Sequence, residues 1–110
     1  MCCEYKGYYF RVRRAGLIEL KQYLVKNFSH NTWQESYDKI KKTIRSLKTF
    51  PETGSVPEEF KQLNLIQYRQ IISGMNRIIY EVRQNTVYIH VIMDARQDLK
   101  SLLIRRLLGL

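Results

Sequence analysis

The chain has 110 residues, 45% of them hydrophobic, and a formal charge of +9 from 19 Lys and Arg against 10 Asp and Glu. That length suits one domain, residues 1–110, with a genuine though modest core, and it excludes two ordinary domains. The two cysteines, Cys2 and Cys3, are adjacent and His30 and His90 lie far apart, so no disulfide framework or metal-site spacing exists and no metal or other cofactor is expected.

In chain order, Tyr5 to Val12 is rich in aromatic and β-branched residues and reads as a first strand. A helix is expected from Ala15 to Phe28, with Leu17, Leu20, Leu24 and Phe28 along one stripe. Asn31 or Thr32 is placed to cap the next helix. That helix has the clearest period of the chain: Trp33, Tyr37, Ile40, Ile44 and Leu47 follow one another at spacings of 4, 3, 4 and 3. Lys39, Lys41, Lys42, Arg45 and Lys48 mostly fall off that seam, and the two helices should pack as a hairpin. The helix must stop before Pro51, and Pro51 to Pro57 is the longest loop signal.

The second half changes period. Leu65 to Ile72, Arg77 to Arg83 and Val87 to Met93 read as three strands, with turns at Ser73-Gly74 and Gln84-Asn85, which makes an antiparallel meander. Alternation puts Ile78, Tyr80 and Val82 on one face and Arg77, Ile79, Glu81 and Arg83 on the other. In the last strand it puts Val87, Ile89, Val91 and Met93 on one face. A final helix is expected over residues 97–108, carrying Leu99, Leu103 and Leu107. The fold class is therefore α+β: an N-terminal strand and a helical hairpin packed on a small antiparallel sheet, then a C-terminal helix. No apolar run approaches a bilayer span, and MCCEYKGYYFRVRR lacks the apolar segment of a signal peptide, so a soluble cytoplasmic protein without membrane contact is expected.

The charge favours phosphate-rich or carboxylate-rich partners, although solvated basic helix faces account for part of it. No Gly-rich phosphate loop, HExxH pair or Gly-x-Ser-x-Gly elbow is present. What remains is a set of arginines in the sheet half, Arg69, Arg77, Arg83 and Arg96. Two readings fit them. They line a sheet face and grip an anionic target, or they form salt bridges, Arg77 or Arg69 with Glu81 and Arg96 with Asp94 or Asp98. His90, mid-strand among apolar residues, reads as a half-buried, hydrogen-bonded side chain.

The stretch YRQIISGMNRIIYEV, followed by VYIHVIMDARQDLKSLLIRRLL, resembles the C-terminal half of RelE/ParE superfamily toxins, and the basic helix with FPETGS fits their N-terminal half. The resemblance implies a toxin of a type II toxin–antitoxin pair that inhibits growth, helps stabilise a plasmid and is silenced by a cognate antitoxin, with Leu99, Leu103 and Leu107 as antitoxin contacts. Two activities occur on that fold. RelE-like members cleave mRNA on the ribosome, and by position Arg77 and Arg96 match arginines such nucleases use, with Glu81 the nearest carboxylate. The lysines of the RelE pattern are replaced here by Arg69, Gln70, Ile71 and Ile72, and Leu102 stands near the RelE tyrosine. The family's histidine near Asp94 is missing too. Arginine stabilises phosphate charge but is a poor proton carrier near neutrality. Charge clamps without an acid and a base point to the ParE-like branch, which binds and inhibits DNA gyrase without an enzymatic step. The alternatives are a ribosome-dependent mRNA endoribonuclease and a non-toxic basic nucleic-acid-binding module.

Overall fold

The computed structural model describes residues 2–5, 8–12, 14–98 and 100–101, with side chains from Leu17 onward. Its elements are β1 (Cys2–Tyr5), β2 (Tyr8–Val12), α1 (Arg14–Asn27), α2 (His30–Ser46), α3 (Glu58–Gln62), β3 (Tyr68–Ser73), β4 (Asn76–Arg83) and β5 (Thr86–Asp94). The expected single first strand is instead two paired antiparallel strands, Cys2 opposite Arg11 and Tyr5 opposite Tyr8. The sheet runs β1-β2-β5-β4-β3. The meander β3-β4-β5 is antiparallel as expected, while β2 joins β5 in parallel and makes the whole sheet mixed. The chain reaches β5 from β2 by way of everything between, and so long a crossover permits a parallel pair.

α1 and α2 pack on one face of this sheet. Leu20 and Leu24 from α1 and Trp33, Ile40 and Leu47 from the α2 segment meet Ile78, Tyr80, Val87, Ile89 and Ile92 in the main core. The α2 seam read from the sequence is the buried one. Its cap is Ser29, whose side chain accepts from the Thr32 N–H at 3.0 Å, rather than Asn31 or Thr32, and His30 is the first residue of the helix. Phe28 leaves the α1 stripe and is 46% exposed.

The other sheet face carries a second, smaller core of Phe60, Ile79, Val91 and Met93, edged by Val56, Leu65 and Tyr68. Its lid is α3, a single turn with no period long enough to read. Leu65 belongs to the link after α3, where its N–H donates to the Phe60 carbonyl at 2.8 Å, so β3 begins at Tyr68 rather than at Leu65.

The last strand does not keep one face throughout. Ile79 pairs with Val91 and Tyr80 with Ile89, leaving His90 as the extra residue of a β-bulge. A bulge inserts one residue and so switches the alternation beyond it. Val87 and Ile89 therefore point into the helix-side core, whereas Val91 and Met93 point into the α3-side core.

The loop after α2 is fastened to the edge strand. Ser55 and Gln70 exchange backbone hydrogen bonds at 3.1 and 2.7 Å, and Gly54 N–H donates to the Tyr80 hydroxyl at 2.9 Å. A Cβ on Gly54 would lie 2.4 Å from the Gln70 carbonyl oxygen, so only glycine fits there. The loop covers part of the β3 edge, a usual way to keep an edge from pairing with other chains.

Candidate functional site

The four sheet-half arginines do not line one face, and each has a partner inside the chain. Arg69 sits opposite Tyr80 on the helix side of β3. Its guanidinium donates to the carbonyls of Gly54 at 2.7 Å and Glu52 at 3.2 Å, so it clamps the loop instead of pairing with Glu81. Arg77 points to the α3 side, where Nε donates to Gln70 Oε1 at 2.7 Å and Nη1 lies 3.6 Å from Glu59. Only 16% of its side chain is exposed, and Glu81, the partner expected for it, lies four residues along the same strand, roughly 13 Å away.

Glu81 itself centres a polar cluster at the far end of that face. Its Oε1 accepts from His90 Nε2 and from Arg83 Nη2, both at 2.7 Å. Because a carboxylate only accepts, the His90 proton is on Nε2. The His90 ring meets Tyr68 edge-on at 5.3 Å and lies nearly parallel to Tyr88 at 6.2 Å, while Arg83 sits 4.5 Å over Tyr88. Burial works against the Glu81 charge, but the hydrogen bonds from Arg83 and His90 outweigh it and hold the carboxyl below its ordinary range. His90 is thus half-buried and hydrogen-bonded, as its position among apolar residues suggested. The partner was not legible, because it depends on the register that sets Glu81 opposite Tyr88, two residues before His90.

Asp94 and Arg96 form the third arrangement. Asp94 is 1% exposed, and it accepts from Arg96 Nε at 2.6 Å, from Arg96 Nη2, and from the Arg96 backbone N–H at 2.8 Å. Burial opposes the Asp94 charge, yet these bonds keep its carboxyl below the usual range. The guanidinium lies 4.0 Å over the Phe28 ring, on the helix side of the sheet. The bridge to Asp94 is one of the two pairings expected for Arg96.

Leu99, Leu103 and Leu107 lie outside the described residues. Among the described residues no group of His, Cys, Asp and Glu is arranged to hold a metal ion, and no helix is long and apolar enough to cross a membrane.

Chemically, these are rigid, internally paired charges on a braced sheet. General acid–base cleavage of RNA needs two proton-carrying groups reaching different atoms of the substrate. Here Glu81 and His90 are bonded to one another.

The family model for the ParE toxin of the type II toxin–antitoxin system parDE matches residues 14–99, and the chain belongs to that family. Among solved structures, the fold is similar to one described as the chromosomal ParDE TA system from P. aeruginosa. The TM-score is 0.57 at 14% identity, over 77% of this chain and 92% of that one. Comparison with curated proteins gave no match.

Proposed function

We propose that this ParE-family toxin inhibits DNA gyrase by binding it, cuts no nucleic acid, and is neutralised by a cognate antitoxin. The observation that carries this reading is the mutual hydrogen bond of Glu81 and His90 at 2.7 Å, with Arg83 on the same carboxylate oxygen. The carboxylate is taken up by two donors of the chain and held in its weakly basic, ionised form. Arg77, which a nuclease would turn toward the scissile phosphate, is mostly covered and engaged by Glu59 and Gln70. The +9 charge supplies attraction over distance to an anionic enzyme–DNA complex or an acidic antitoxin. The similarity to a ParDE system is a further reason to expect the antitoxin.

The test uses purified protein in two assays. Gyrase supercoiling should be inhibited, and inhibition should disappear when cognate antitoxin is added. Messenger RNA on programmed ribosomes should stay intact. Codon-phased cuts that vanish in Glu81→Gln, with supercoiling unaffected by the wild-type chain, would replace this reading with that of a ribosome-dependent endoribonuclease.

A further inference from the structure

α1 buries Leu20 and Leu24, yet Ile18 is 56% exposed and Val25 40% exposed on its outward flank. They are two turns apart, roughly 10 Å along the axis. Phe28 continues the flank just past the helix end. Single surface apolar residues need no explanation. This row is different because it ends at a cation already aimed.

Asp94 occupies Arg96 Nε and Nη2, and the Phe28 ring supports the guanidinium from below. A guanidinium has more N–H groups than those two oxygens take, and the Nη1 edge has no partner among the described residues. The arginine is therefore held flat, with 41% of its side chain exposed, at one end of an apolar strip. Exposed Lys21 and Lys26 lie along the same helix.

We infer that the Ile18–Val25–Phe28 flank of α1, closed by Arg96, is a docking surface for the antitoxin. The antitoxin segment that fits is amphipathic and two to three turns long, with apolar side chains on the strip and a carboxylate on the Nη1 edge of Arg96. Charge complementarity selects that occupant, since a +9 chain with a fixed guanidinium beside the strip favours an acidic ligand. The inference rests on the reading that an antitoxin partners this toxin. It places the contact on α1 and Arg96.

The experiment titrates labelled cognate antitoxin with purified wild-type and variant chains, following anisotropy and checking each variant's melting. Ile18→Asp combined with Val25→Asp should raise Kd by about 100-fold, because both apolar anchors are replaced by repelling carboxylates. Arg96→Lys keeps a charge against Asp94 but loses the flat fork, and should weaken binding about tenfold. Leu63→Asp combined with Ile66→Asp changes residues that are 60% and 64% exposed elsewhere, and should leave Kd within about twofold. Binding of the folded α1 variant within about twofold of wild type overturns the inference while leaving the toxin reading intact. An equal loss in the Leu63/Ile66 variant overturns it as well. A wild-type chain that neither binds antitoxin nor inhibits growth overturns both.

Discussion

The two faces of the sheet bury apolar side chains by different means. The helix-side core is made by two helices of 14 and 17 residues, each contributing a row of side chains at helical spacing. The other face is closed by a five-residue helix and rests on one fully buried ring, Phe60, over Ile79, Val91 and Met93. Beyond that ring the face turns polar, with Glu81, His90 and Arg83 in one network. A repeating pattern distributes its load over many residues, whereas a single anchor concentrates it. The second face should therefore be the more sensitive one, residue for residue.

The largest expected effect tests that asymmetry directly. Phe60→Ala should cost about 3–5 kcal/mol in a urea unfolding curve, at the upper end for large-to-small core changes, because nothing nearby replaces the ring. The same measurement on Ile44→Ala, at the partly buried edge of the main core, should show a smaller loss. If Phe60→Ala cost less than Ile44→Ala, the α3 face would be a loosely attached cover instead of a second core.

A smaller effect concerns the loop that joins the faces. Tyr80→Phe removes the acceptor of the Gly54 N–H and should cost about 1–2 kcal/mol. Amide exchange should speed up at Gly54 and Ser55 more than at Ile89 or Ile92. Uniform acceleration over the whole sheet would mean that the hydroxyl supports global stability and not the loop in particular.

The smallest effect is the pH dependence of the polar end. The Glu81 carboxyl titrates lower in the folded chain than the ordinary glutamate value of 4.5, so its contribution is complete above that pH and is lost as pH falls through the folded value. Asp94, lowered from 3.8, adds loss in the same direction at more acidic pH. The melting temperature should decline below about pH 4.5, and Glu81→Gln should decline less steeply over that range. An equally steep decline in Glu81→Gln would assign the acid sensitivity to Asp94 and the helix-side face.

How much of this was legible follows the same division. The α2 seam from Trp33 to Leu47, the three meander strands and the turn at Gly74 stand in the sequence because each repeats a pattern or uses a residue with a special backbone range. Gly74, with φ of 60°, is an instance of the latter. Reading Tyr5 to Val12 as one strand passes over Gly7, which stands between β1 and β2 in a run of aromatic residues. α3 was unreadable, since one turn has no period.

Among the site residues, Arg96 and Asp94 are two positions apart, so their bridge is local and was foreseeable. Arg69 and Arg77 found partners in the 52–59 segment, 15 or more residues away in sequence, where no spacing rule applies. By itself the sequence determined the two long helices, the three meander strands, the basic character and the family pattern, because local periodicity and composition carry those. The tertiary structure decided which face each charge occupies. Long-range packing did so, bringing Glu52, Gly54 and Glu59 to the sheet arginines, while the bulge at His90 exchanges the faces of the residues after it and sends Val91 and Met93 to the α3 side.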